Sequence, residues 1–134
     1  MELVRCSNLP GTHWDAILEI RNENREGFGD PSIIRPASHC KYMFNNFSNY
    51  LLCVEGDKVL GFIGHVKNDI RLSTRKEYQR RGIAELMLES FMKKYPKAIA
   101  KVKLDNEASL KLFEKYNFKK KYYILERENE TKSV

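Results

Sequence analysis

The stretch Gln79-Arg80-Arg81-Gly82-Ile83-Ala84 carries the most direct hint of chemistry in this chain. Two adjacent cations and a glycine stand where a helical pattern begins, with Ala84, Met87, Leu88, Phe91 and Tyr95 along one face of residues 83–95. A glycine weakens a helix start, and cations lie badly against the positive end of the helix dipole. Both features make sense if an anion belongs there. Unpaired amides at a helix N-terminus wrap readily around phosphate. Gly82 lets the backbone approach closely, Ala84 is small at the next crowded position, and Arg80 and Arg81 can add charge-assisted bonds. The pattern is neither GxxxxGK(S/T) nor GxGxxG, so neither of the common nucleotide loops describes it.

The surrounding elements must place this loop. Residues 70–75 alternate in character and read as a strand that feeds it. Before that, residues 49–66 hold two apolar runs joined by Glu55-Gly56-Asp57-Lys58, a hairpin signal, and residues 67–69 form a second tight turn. Upstream, residues 2–7 suit a short strand, and 11–26 a helix with Thr12 as N-cap. Residues 27–32 break it, and 36–47 suit a second helix. Downstream, Pro96 stops the helix over 83–95 and residues 98–104 read as a strand. Residues 105–118 read as a helix capped by Asp105 or Asn106, with Asn117 suited to the left-handed residue that ends it. Residues 118–127 read as a last strand and 128–134 as a frayed tail. The order is β-α-α-β-β-β-α-β-α-β, which predicts one α/β domain over 1–127 with a mixed, mostly antiparallel sheet flanked by helices.

A length of 134 residues fits one core, and no run of about 18 apolar residues predicts a membrane span. The first residues lack a basic start followed by an apolar stretch, so no signal peptide is expected. Cys6, Cys40 and Cys53 are odd in number, widely spaced and without a CxxC. They predict neither a disulfide framework nor a metal site, and they fit small apolar fillers in a reducing cytoplasm. The net charge of +6 is uneven: residues 1–70 hold 7 Lys/Arg against 9 Asp/Glu, and residues 71–134 hold 17 against 9. A basic second half suits an anionic partner. The absence of aromatics interleaved on a basic strand face argues against nucleic acid.

The loop residues resemble the Q/R-x-x-G-x-G/A signature of the GNAT superfamily of acyl-CoA-dependent N-acyltransferases. A second segment, Asn106 to Phe118, is similar to that family's N-x-x-A-x-x-L-Y-E-K-x-G-F, about 25 residues on in the family order. The resemblance covers residues 50–125 most clearly and implies acetyl-CoA as co-substrate, with no metal. By it, Gln79, Arg80, Arg81, Gly82, Ile83 and Ala84 would hold the pyrophosphate of coenzyme A. The backbone of Leu72, Ser73 and Thr74 would bond the pantetheine arm like an added strand. Asn106 would contact the arm from the other side, or serve only as a helix cap. Lys111 or Lys115 could meet the 3′-phosphate, or simply be solvated.

The sequence departs from the family at Phe113, which stands where a tyrosine often protonates the leaving thiolate. Phenylalanine has no proton to give. Tyr116, one turn on, is the substitute acid, with a core role as its alternative. An attacking amine must lose a proton. His65 has the right pKa class for the base. Asp69 and Glu77 are further candidates, although their turn and loop positions suit surface roles.

The acceptor pocket in this superfamily comes mostly from the N-terminal helices. Here Arg21, Asn22 and Arg25 followed by His39 resemble the branch that acetylates amino groups of nucleotide-activated sugars. Arg21, Arg25 and Arg35 could meet a nucleotide diphosphate, or pair with Glu19, Glu23 or Glu26. Phe28, Tyr42, Phe44 and Phe47 could line a pocket or fill the core. The expected function is therefore N-acetylation of a small-molecule primary amine such as an amino sugar. The alternatives are acetylation of a protein amine, or acyl-CoA binding without catalysis. The chain is expected to act as a monomer or homodimer.

Overall fold

A computed structural model of the chain describes residues 1–128. The elements are β1 (Glu2–Arg5), α1 (Thr12–Glu23), α2 (Pro36–Asn46), β2 (Leu51–Glu55), β3 (Lys58–Val66), β4 (Asp69–Thr74), α3 (Ile83–Lys94) and α4 (Glu107–Lys115). The strands form one antiparallel sheet in the order β1-β2-β3-β4. The β3–β4 turn uses left-handed Lys67 and Asn68, the conformation that lets a two-residue hairpin follow the strand twist. A bulge interrupts the β2–β3 register between Cys53 and Val54.

Each face of the sheet carries its own core. On one side α1 and α2 bury Trp14, Ile17, Ile20 and Met43 against Leu52, Val54 and Phe62. On the other, α3 and α4 bury Ile83, Met87, Leu88, Phe91 and Phe113 against Cys53, Ile63 and Ile70. Alternation along the strands divides the residues this way. Two glycines permit the close approach. A Cβ at Gly61 would stand 2.8 Å from the Ser73 carbonyl and 3.1 Å from Met87. One at Gly64 would overlap the Tyr50 ring.

The last two predicted strands do not form ladders. Residues 98–104 make one parallel bridge, Asp69 to Ile99, and then leave the sheet. Residues 118–127 form no strand pairing; Phe118 is half-buried against the α4 side of the core and residues 119–127 are exposed. Their β-rich composition describes what the segment can do, whereas a ladder needs a neighbour within reach. Residues 118–127 join neither the β1 edge nor the β4 edge of the sheet. The tail expected at 128–134 lies outside the described residues apart from Glu128. Among the described residues, no helix is long and apolar enough to cross a membrane.

Candidate active site

The anion cradle is built by backbone conformation. Arg80 and Gly82 both take left-handed values, φ 65° and 78°. Alternating left-handed residues turn successive N–H groups towards a shared concavity. Gly82 is also the N-cap of α3, and no side chain caps that end. The first intrahelical bond there runs from Leu86 N–H to Gly82 C=O at 3.0 Å. The amides of Ile83, Ala84 and Glu85 therefore precede the ladder and are free for an anion. A Cβ at Gly82 would meet no protein atom within 4 Å, so the space above it is open. Gln79, Arg80 and Arg81 are exposed around it, with Arg81 laid over the Tyr78 ring at 5.3 Å.

An open strand edge leads into the cradle. Ile70 N–H donates to Ile99 C=O at 2.9 Å, and Ile99 N–H to Asn68 C=O at 2.8 Å. Beyond that point the two segments splay into a V. Backbone direction alternates along a strand, so Leu72 and Thr74 turn their polar groups to the same side as Ile70. Arg75 N–H, in the opposite phase, reaches back to Leu60 C=O at 2.9 Å. Leu72 thus presents unladdered backbone groups to the V, in reach of an amide-bearing chain. The open edge, the cradle at its end and the space over Gly82 together fit coenzyme A.

Asn24, just past α1, holds this corner together, and the sequence reading did not identify it. Its amide donates to Ser73 Oγ and Thr74 C=O, both at 2.8 Å, and its oxygen accepts from Gln79 Nε2 at 3.2 Å. Gln79 Nε2 also reaches Thr74 C=O at 3.2 Å. Polar spacing alone gives no signal of such a bridge, because it joins residues about fifty positions apart. Asn106 caps α4, its side chain accepting from Ser109 N–H at 3.2 Å. Its amide also faces Gly27 across the groove. Lys103, on the far wall of the V, donates to Glu26 C=O at 2.7 Å. Lys115 pairs with Glu85 at 2.8 Å.

Several residues expected at the acceptor or reacting centre have other partners. Arg21 is buried, donates to the carbonyls of Asp30 and Ser32, and lies 4.7 Å over the Phe28 ring. Asn22 bonds both backbone groups of Ile34, at 2.9 and 3.1 Å. Both side chains clamp the α1–α2 connection. His39 is buried between the helices with Nε2 2.7 Å from Trp14 C=O, and burial holds its pKa below the ordinary value. Arg25 stays exposed, as does Arg35. Of the aromatics, Phe44 meets Trp14 edge-on at 4.9 Å and Phe47 packs on the core.

The structure places His65 at the closed end of the V. On β3 it pairs with Ile70 of β4, its ring packs on Tyr95 at 4.5 Å, and Nδ1 accepts from Asn68 N–H at 3.2 Å. Burial, with Lys94 nearby, depresses its pKa. It faces the α3 core, opposite the face that Ser73 shares with Asn24. Tyr116 ends α4 and is half-buried against the same core. Phe113 is buried there, edge-on to Phe118 at 5.1 Å. Glu77 lies exposed in the 3-10 turn Lys76–Tyr78. On the α1–α2 face, the Tyr42 and Tyr50 hydroxyls bond at 2.7 Å, and burial raises both pKa values.

The comparisons with known proteins agree with this geometry. The profile of the acetyltransferase (GNAT) family matches residues 14–118. No curated protein matches the chain. Among solved structures, the chain is similar to a ribosomal-protein-alanine N-acetyltransferase from Brucella melitensis, at 14% identity and TM-score 0.77, covering 89% of this chain and 85% of that one. It is similar to the PaiA N-acetyltransferase from Thermoplasma acidophilum in complex with coenzyme A, at 17% identity and TM-score 0.60, covering 86% and 87%. It is also similar to the diaminobutyrate acetyltransferase EctA from Paenibacillus lautus, at 18% identity and TM-score 0.63, covering 86% and 74%. The chain belongs to the GNAT acetyltransferase family and is an acetyl-CoA-dependent N-acyltransferase.

Proposed function

We propose that this protein acetylates the primary amine of a small molecule. The observation that supports a small acceptor is the tied-down connection after α1. Arg21 and Asn22 clamp it to residues 30–34, and Lys103 bridges from the far wall of the V to Glu26. The acceptor side of the groove is thereby confined, which suits a compact amine better than a polypeptide. An amino sugar fits that class. A nucleotide-linked sugar would rely on Arg25 and Arg35, since Arg21, Asn22 and His39 already have protein partners.

In this reading Gln79 to Ala84 hold the pyrophosphate of coenzyme A, and the open edge at Leu72 and the Thr74 N–H holds the pantetheine arm, with Asn106 on its other side; the Ser73 backbone faces β3 instead. Acetyl-CoA supplies the activated acyl group. The amine nitrogen bonds to the carbonyl carbon, the carbon–sulfur bond breaks, and the proton lost by nitrogen is available to the departing thiolate. Phe113 donates nothing, so that proton travels directly, through water, or through Tyr116. Burial lifts the Cys6 thiol to about 11 and also raises Cys53, so both stay protonated as buried fillers.

The test is free-thiol release from acetyl-CoA across small amines and across peptides with free N-termini or lysines. Turnover of small amines at the higher kcat/KM is expected. Turnover of peptides alone would move the function to protein acetylation. Tight acetyl-CoA binding without thiol release from any amine would make the protein a binding module.

A further inference from the structure

The vertex of the V carries a charged cluster that the preceding reading leaves unused. Asp69 opens β4 and is buried, 8% exposed. Its Oδ2 meets Arg71 Nη1 at 2.8 Å and Lys101 Nζ at 3.4 Å. Its Oδ1 is buried and has no hydrogen-bond partner. A buried carboxylate oxygen without a donor is costly, and its presence marks a place where a donor belongs. The three residues straddle the splay: Asp69 bridges to Ile99, Arg71 is two residues along one wall, and Lys101 is two residues along the other. Alternation puts Asp69 and Arg71 on the same sheet face as Ser73, the face towards α1 and α2. In the small-amine reading that is the acceptor side.

The cluster holds one negative and two positive groups. Arg71 and Lys101 are still partly exposed, with side chains 36% and 58% accessible. A bare cationic amine would meet a net positive site. An amine that also bears an anion would find a partner for each charge. Resting on the small-amine reading, we propose that the acceptor carries an acidic group, carboxylate or phosphate, close to its amine. The amine nitrogen donates to Asp69 Oδ1, and the acidic group is received by Arg71 and Lys101. The same placement brings the nitrogen to the end of the V, in line with the arm that follows β4 from the cradle.

The experiment measures thiol release on matched pairs: a diamino acid against its decarboxylated diamine, and an amino sugar phosphate against the free amino sugar. A preference of roughly tenfold or more in kcat/KM for the acidic member of a pair is expected, the scale of one charge-assisted bond. Which pair shows it tells carboxylate from phosphate. The exposed Lys101→Ala change should shrink that preference, and Asp69→Asn should lower kcat/KM for the acidic amines while acetyl-CoA affinity by calorimetry reports an intact fold. Equal use of both members, preference for the diamine, or an unaltered ratio in Lys101→Ala would overturn the proposal while leaving small-amine acetylation standing. Release with no small amine at all would overturn the reading beneath it.

Discussion

Replacing Asn24 by alanine should damage both the fold and the cofactor site, by an amount that follows from its contacts. The side chain supplies two bonds of 2.8 Å to Ser73 Oγ and Thr74 C=O and accepts one of 3.2 Å from Gln79. Ser73 and Thr74 are buried, 7% and 8% exposed, so water replaces those donors poorly. At about 1 kcal/mol net for each bond, the loss is roughly 2–3 kcal/mol. Unfolding entropy near about 2.1 cal/mol/K per residue over 134 residues gives about 0.28 kcal/mol/K, so Tm should fall by roughly 7–11 °C. Thermal unfolding followed by circular dichroism reads this directly. Acetyl-CoA affinity should weaken as well, because Gln79 enters the cradle from this corner. A Tm within about 2 °C of wild type, with unchanged affinity, would refute the bridging role.

Two further outcomes follow from the contacts. Asn22→Ala removes both bonds to Ile34 and should cost about 1–3 kcal/mol, raising the acceptor KM while leaving acetyl-CoA affinity in place, as steady-state kinetics and calorimetry would show. His39 has a folded pKa below its ordinary 6.5, through burial, so the unfolded chain binds more protons below that pH. Stability should therefore fall as pH drops below about 6.5, and His39→Gln should flatten part of that slope in Tm measured against pH; His65, depressed in the same direction, supplies more of it.

The elements that position the site were legible where periodicity and turn chemistry agreed. The β2–β3–β4 meander, the helix starting at Ile83, the Asn106 cap and left-handed Asn117 all follow from local signals. The two C-terminal strands were not, because a strand is a relation between segments. Residues 98–104 and 118–127 have the composition but no partner ladder. The cradle was readable from Gly82, although left-handed Arg80 was not, since its conformation is set by the loop. Arg21, Asn22 and His39 have residue types that suit a ligand equally well, and only the three-dimensional path of the α1–α2 connection commits them to the protein. Asn24 and the lone oxygen of Asp69 depend on contacts that no local pattern encodes.

The central claim is that the loop before α3 holds acetyl-CoA. Gly82 has φ 78° and open space beyond it. A side chain there would cost about 1–2 kcal/mol for the left-handed backbone and would project into the cradle. Calorimetric titration of acetyl-CoA into wild type and Gly82→Trp, with circular dichroism confirming the fold, tests the claim directly. The account predicts binding by wild type and loss of binding in the folded variant; equal affinity in both would contradict it.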